Sequence, residues 1–150
     1  MSIAVRNLTK LYNGTPAVND ISFDVKTGEI LGFLGPNGAG KTTTMKVITC
    51  YMPPTSGTVE VDGLSIFDHS LEVRRKIGYL PEMNPLYLDM NVLDYLAYSA
   101  ELHHIKGAAA QHRIREMIHA CGLEEVRHKD IGELSKGYRQ RVGLAQAMIH

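Results

Sequence analysis

A glycine-rich run in the first third of the chain has the residue types and the spacing of a phosphate-binding loop. Gly35 to Thr42 reads Gly-Pro-Asn-Gly-Ala-Gly-Lys-Thr and matches the Walker A pattern G-x-x-x-x-G-K-[ST]. The apolar run from Ile30 to Leu34 precedes it, and a helix-compatible run from Lys41 to Met52 follows it. Strand, loop and helix are the context that this motif requires. A glycine-rich turn ending by chance in Lys-Thr is the alternative, and it leaves that context unexplained.

The residue types of this loop suit a triphosphate, which crowds its binder with negative charge. Glycine at Gly35, Gly38 and Gly40 lets the backbone bend tightly and approach phosphate oxygens without an intervening Cβ. A helix that starts near Lys41 adds the positive end of its dipole, and Lys41 itself adds a mobile full charge. The Thr42 hydroxyl is a suitable oxygen ligand for Mg²⁺.

Tyr12 is the one aromatic residue before the loop with an exposed setting. Adenine binds flat apolar surfaces, and a tyrosine ring offers one. An ordinary core or turn tyrosine is the other interpretation, and the residues alone favour it.

The first 80 residues are predicted to form short strands joined by turns, with one short helix near their end. Period-two or compact apolar runs predict strands, and Asp62-Gly63 predicts a hairpin turn. The predicted strands are Ile3 to Leu8, Ala17 to Val25, Ile30 to Leu34, Thr58 to Asp62 and Ile77 to Leu80. A turn is predicted at Leu11 to Gly14, and a short basic helix at Leu71 to Lys76.

The second half of the chain is predicted to be helical. Asn91 can cap a helix, and Gly122 can end the next one. We expect Met83 to Glu133 to form a helical insertion, with Ser135 opening a last helix that continues to His150.

Composition limits the classes of protein that this chain can represent. The 150 residues are 44% hydrophobic and 21% charged, which is typical of a globular domain. Sixteen basic and sixteen acidic residues cancel, which disfavours a nucleic-acid binder relying on a positive field. No apolar stretch reaches the ~20 residues of a membrane span, and the N-terminus does not resemble a signal peptide. Two widely spaced cysteines suggest a reducing cytosolic setting.

Two further motifs occur in order after the loop and support a family resemblance. Gly78 to Glu82 is similar to a Q-loop, and Leu134 to Arg141 is similar to the ABC signature with its helix. The whole chain resembles the nucleotide-binding domain of an ABC transporter ATPase. This resemblance implies an α/β P-loop NTPase fold with a RecA-like parallel core, an N-terminal antiparallel β layer and a helical subdomain. The core and β layer are expected at 1–82 and 134–150, and the helical subdomain at 83–133.

The resemblance implies a role for each matching position. Tyr12 is expected to stack on adenine, Thr43 to reach the α-phosphate, and Thr42 and Glu82 to bind Mg²⁺, with Glu82 also a catalytic residue. Ser135 and Gly137 are expected to touch the γ-phosphate bound by the opposite protomer. The backbone N–H groups expected at phosphate belong to Gly35, Asn37, Gly38, Ala39 and Gly40, and the Lys41 ammonium joins them as a catalytic group.

The sequence departs from the family pattern at several positions. Glu82 replaces the usual glutamine, Lys136 the first signature glycine and Tyr138 the signature glutamine. No apolar strand ending in Asp-Glu follows Ser135, so the Walker B residues that fix Mg²⁺ and the attacking water are absent. We therefore expect the N-terminal part of a longer domain, truncated at its C-terminal side, which binds ATP without hydrolysing it.

The resemblance implies the ATP-binding subunit of an exporter, working through a head-to-tail dimer with another ABC ATPase domain. A transmembrane permease partner is expected to hold it at the cytoplasmic face of the membrane. Met83 to Met90 is the expected docking segment, or alternatively packs the helical insertion. A soluble ABC ATPase acting on ribosomes or DNA is the rival interpretation, disfavoured by neutral charge. A kinase or GTPase is a third, but no Asn-Lys-x-Asp motif occurs and neither requires the signature.

Overall fold

A computed structural model describes all residues from 1 to 150, which form two compact units. The first unit is Met1–Ile77 and the second is Gly78–His150. Strands occur in the first unit, and helices make up the regular structure of the second.

A four-stranded antiparallel sheet forms the framework of the first unit. Its strands are β1 (Ile3–Tyr12), β2 (Thr15–Val25), β3 (Ser56–Val61) and β4 (Leu64–Ser65), in the order β2-β1-β3-β4. Val5 lies at the centre, opposite Phe23 on one side and Val59 on the other. The predicted antiparallel β layer is present, and its strands are longer than their apolar patterns indicated.

Two tight hairpin turns connect these strands. Asn13 and Gly14 have φ values of 50° and 81°, and Asp62 and Gly63 have values of 49° and 75°. Two successive left-handed residues produce the twist that two-residue hairpins need. The predicted turn at Asp62-Gly63 is confirmed, whereas the predicted four-residue turn is shorter, because Tyr12 still pairs with Thr15.

The Asp62 carboxylate fastens this turn to its surroundings. It accepts a hydrogen bond from the Ser2 backbone N–H at 2.7 Å and one from Lys76 Nζ at 3.2 Å. The Ser2 bond first, and the Lys76 bond second, lower the pKa of Asp62. The exposed side chain stays ionised over a wider range of pH than a free aspartate.

Two helices, α1 (Lys41–Ile48) and α2 (Ser70–Lys76), complete the first unit. The predicted continuation of α1 to Met52 is wrong, because Cys50 adopts a left-handed φ of 57° and the Lys46 carbonyl accepts from Tyr51 and Met52. The helices and the sheet enclose one apolar core. Its buried residues are Val5, Leu8, Val18, Val47, Ile48, Val59, Val61, Ile66 and Val73.

Two predicted strands of the parallel core are not strands in this structure. Ile30 to Leu34 and Ile77 to Leu80 have no β-pairing, and the sheet contains antiparallel pairs alone. Ile30 is 98% exposed and Leu34 is 93% exposed. An apolar run becomes a strand only when neighbouring strands satisfy its N–H and C=O groups, and this chain supplies none there.

Three helices form the second unit, namely α3 (Val92–Leu102), α4 (Gly107–Ala120) and α5 (Lys136–Met148). Asn91 caps α3 as predicted, because its side chain accepts from the Asp94 N–H at 2.9 Å. Gly122 follows α4 with a φ of 61° and ends it, again as predicted. Apolar faces of the three helices share one core, which includes Leu96, Ile114, Ile118, Val142, Ala145 and Ile149.

Helix α5 ends at Met148, so the prediction that it runs to His150 is wrong. Arg113 of α4 donates from Nη2 to the Met148 carbonyl at 2.7 Å and from Nε to the Ile149 carbonyl at 3.0 Å. A guanidinium therefore satisfies carbonyls that the helix leaves without partners.

The residues from 134 to 150 pack within the helical unit here, while the division predicted from the resemblance placed them with the core. That functional division remains a prediction. None of the helices combines the length and the apolar character that crossing a bilayer requires.

Candidate functional site

Left-handed glycines shape the loop between Gly35 and Thr42. Gly38 and Gly40 have φ values of 85° and 80°. A Cβ on Gly40 would collide with the Ala17 carbonyl oxygen and lie 2.8 Å from Val18 Cγ2, so β2 supports the base of the loop. A Cβ on Gly38 would meet no atom within 4 Å, which leaves the outer side of the loop open. The loop is thus closely packed against β2 where α1 begins and open on its outer side.

The Lys41 side chain folds back over this loop. Its Nζ donates to the carbonyl oxygens of Gly35 at 2.6 Å and Pro36 at 2.7 Å. The two ends of the loop approach each other here, since a Cβ on Gly35 would lie 3.2 Å from the Ala39 Cβ. Two carbonyl oxygens therefore hold the ammonium at the loop.

Free backbone donors surround the same position. The N–H groups without a protein acceptor belong to Gly35, Asn37, Gly38, Gly40, Lys41, Thr42 and Thr43. Ala39 differs, because its N–H donates to the Pro36 carbonyl at 3.2 Å. The first turn of α1 contains no acidic side chain that would repel an anion. Unpaired N–H groups, an ammonium and an exposed Thr42 hydroxyl together suit a magnesium-bound polyphosphate.

Tyr12 lies at the end of β1 and is 45% exposed. Its hydroxyl donates to Met52 Sδ at 3.1 Å, which fixes the ring beside the residues that follow α1. The Lys10 ammonium is 5.6 Å from the ring centroid and also donates to the Pro53 carbonyl at 2.8 Å. The ring is held at its edge and one face while much of its surface remains accessible, as a stacking platform requires.

Replacing Tyr12 by alanine is expected to weaken ATP binding by about 1–3 kcal/mol, because base–aromatic stacking contributes that much. Pyrophosphate, which has no base, should bind equally well to both proteins in titration calorimetry. Tyr51→Ala is the matched control, since Tyr51 is exposed and has the Lys46 ammonium 5.5 Å from its ring. Equal losses for ATP and pyrophosphate would instead assign Tyr12 a structural role.

The remaining predicted site residues belong to the second unit, and Glu82 is the first of them. Its side chain is exposed and makes no hydrogen bond within the protein. Its backbone carbonyl accepts from Gln140 Nε2 of α5 at 3.1 Å. The carboxylate is therefore free for an external ligand while its backbone is held.

Ser135 and Gly137 lie at the start of α5 as predicted. Ser135 is the N-cap, and its Oγ accepts from the Tyr138 N–H at 3.4 Å. Ser135, Lys136 and Gly137 are exposed, and no acidic residue lies in the first turn. This helix start presents free N–H groups, a hydroxyl and an ammonium, and all three favour an anion. Whether these residues touch a nucleotide stays a prediction.

Sequence reasoning missed three residues that hold the predicted ones in place. Thr44 is buried, and both its N–H (2.8 Å) and its hydroxyl (3.0 Å) donate to the Gly40 carbonyl. Lys10 braces Tyr12, and Gln140 holds Glu82. Threonine hydroxyls in helices often donate to the carbonyl four residues earlier, which could have indicated Thr44. Lys10 and Gln140 contact residues distant in sequence, so no local pattern indicates their roles.

This phosphate loop, with its antiparallel sheet and helical unit, defines a P-loop ATPase cassette. The family model described as "ABC transporter" matches residues 18–150, and the chain belongs to that family. It is 40% identical over 148 residues to the uncharacterized ABC transporter ATP-binding protein YxlF of Bacillus subtilis, covering 99% of this chain and 48% of the relative. It is 34% identical over 153 residues to the Nod factor export ATP-binding protein I of Burkholderia orbicola, covering 100% of this chain and 50% of that relative.

Solved structures agree with this assignment of the fold. A dimeric ATP-binding cassette, MJ0796, in a post-hydrolysis state bound to ADP and phosphate, superposes with a TM-score of 0.85 at 26% identity. The match covers 98% of this chain and 69% of that one. The chain spans about half the length of the curated relatives it matches.

Proposed function

We propose that this chain is the ATP-binding part of a subunit that powers export by an ABC transporter. The observation that carries the proposal is the loop between Gly35 and Thr42, where Lys41 is held at two carbonyls beside a row of free N–H groups. A relative named for Nod factor export supports the direction of transport.

Each part of the site contributes a separate interaction in this proposal. The loop N–H groups and Lys41 bind the β- and γ-phosphates, Thr43 reaches the α-phosphate, and Tyr12 stacks on adenine. Thr42 and Glu82 hold Mg²⁺ directly or through its water. The bound ion supplies positive charge that neutralises the phosphate oxygens. Glu82 carries a charge that the family's usual glutamine lacks, so it favours nucleotide only when the metal is present.

Assembly of the proposed subunit requires two kinds of partner. A second ABC ATPase domain binds head to tail and places its nucleotide at Ser135 and Gly137. Pairing of two such domains is supported by the MJ0796 cassette, which is dimeric. A membrane permease holds the subunit at the cytoplasmic face of the membrane and couples ATP use by the subunit to export. Affinity purification from membranes of the source cell tests this. Co-purification with a polytopic membrane protein supports an exporter, and ribosomes or DNA in its place would contradict one.

Binding without turnover is the expected behaviour of these 150 residues in solution. The loop suffices to bind MgATP, whereas hydrolysis also needs a fixed Mg²⁺ and an oriented water, and the Asp and Glu that would provide them are absent from this sequence. Phosphate release should match that of Lys41→Ala. Steady release that this substitution abolishes would show that the catalytic set lies within these residues.

A further inference from the structure

The Gly78–Asn84 segment lies along one face of α5. Its contacts on the helix are Gln140, Gly143 and Ala147, which are three and four positions apart and therefore share a face. The contacts span more than half of the helix. Gly78 lies near the C-terminal end of the helix, whereas Leu80, Glu82 and Asn84 lie closer to its middle.

Two glycines let this segment approach closely. A Cβ on Gly78 would collide with the Ala147 carbonyl oxygen. A Cβ on Gly143 would collide with Asn84 Nδ2 and lie 2.8 Å from Leu80 Cδ1. Neither glycine has a left-handed φ, so close packing explains them better than backbone conformation does. Both ends of the segment are in van der Waals contact with α5.

One hydrogen bond joins the segment to the helix. Gln140 Nε2 donates to the Glu82 carbonyl oxygen at 3.1 Å, and no other hydrogen bond connects α5 with the segment. The side chain of Asn84 does not help, because its buried Nδ2 has no partner. Packing holds the ends of the segment, but the orientation of the peptide at Glu82 depends on Gln140.

We propose that Gln140 is a positioning residue for Glu82. By fixing the Glu82 carbonyl on α5, it directs the free carboxylate and keeps it in one geometry relative to Ser135, at the start of the same helix. The inference rests on the proposed role of Glu82 at Mg²⁺ only for its functional consequence. The bond itself and its effect on the Glu82 backbone are independent of any nucleotide.

The first test measures the bond without nucleotide. Gln140→Met keeps the length of the side chain and removes the donor, so the carbonyl ¹³C chemical shift of Glu82 should move upfield towards that of an unbonded peptide. Gln140→Lys restores a donor and should return the shift most of the way. Gln146→Met is the matched control, because Gln146 lies on the same helix and its side chain makes no hydrogen bond. An unchanged Glu82 shift in Gln140→Met overturns the proposal.

The second test measures the Mg²⁺ concentration that gives half-maximal enhancement of ATP binding. Gln140→Met should raise it about threefold to tenfold, the range expected from losing one hydrogen bond, and Gln140→Lys should restore it. Affinity for ATP in EDTA should not change, whereas a merely structural role would alter both. Combined with Glu82→Ala, the substitution should add nothing further, because both act through one carboxylate.

The outcomes separate this inference from the proposed function. If Glu82→Ala leaves the Mg²⁺ requirement unchanged, the proposed metal role of Glu82 fails, and the chemical shift alone decides the positioning by Gln140. If Glu82→Ala raises the requirement and Gln140→Met does not, or if their effects add, the positioning role is overturned.

Discussion

Replacing Lys41 by alanine is expected to reduce the affinity for MgATP about 100-fold or more. The substitution removes the one ammonium held at the loop, where Nζ lies 2.6 and 2.7 Å from two carbonyls. Hydrogen bonds to charged groups contribute about 1.5–3 kcal/mol each, and the β- and γ-phosphates offer at least two. Titration calorimetry at fixed Mg²⁺ measures the loss.

Lys46→Ala is the matched control for this experiment. It removes the same charge from the same helix, but the Lys46 ammonium lies over the Tyr51 ring instead of the loop. Its effect on MgATP binding should be under about threefold, because exposed charges act weakly at a distance. If the two variants bind alike while both remain folded by circular dichroism, Lys41 is not a phosphate ligand.

Replacing Gly40 by alanine is expected to destabilise the first unit by about 2–6 kcal/mol. Two costs combine, because a left-handed φ strains an L-residue by about 1–3 kcal/mol and overpacking adds a similar amount. Gly40 has a φ of 80°, and its new Cβ would collide with the Ala17 carbonyl oxygen. Because Ala17 belongs to β2, which pairs with β1 along its length, the strand cannot easily move away. Urea unfolding followed by circular dichroism measures the difference.

Gly38→Ala separates the two costs. Gly38 has a φ of 85°, close to that of Gly40, but open space lies where its Cβ would be. This variant should therefore lose only the conformational part, about 1–3 kcal/mol. Equal destabilisation by both substitutions would mean that Gly40 is not packed against β2.

Much of the candidate site could be predicted from sequence because its chemistry is local. Gly35 to Thr42 form one continuous loop, so residue types and spacing indicated both the bend and the donors. Tyr12 is different. The residues around it favoured an ordinary core or turn tyrosine, and only the family resemblance indicated contact with a nucleotide. Contacts between distant residues could not be predicted. The hydrogen bond from Gln140 to the Glu82 carbonyl, for example, joins residues 58 positions apart.

The antiparallel layer and the starts of the helices follow largely from sequence. Asp62-Gly63 determines its own turn, because residues that tolerate positive φ are few. Asn91 and Ser135 likewise start α3 and α5 through bonds to N–H groups three positions away. These features depend on neighbours in the chain and hold wherever the segment lies.

Tertiary structure alone decided whether the apolar runs form strands and where the last helix ends. Ile30 to Leu34 has the composition of a buried strand, yet it stays unpaired and exposed, because a strand exists only through partners distant in sequence. The end of α5 at Met148 depends likewise on Arg113 of another helix, which takes up its final carbonyls. Sequence determined what each segment can bond locally, and the contacts between distant segments decided which of those possibilities formed.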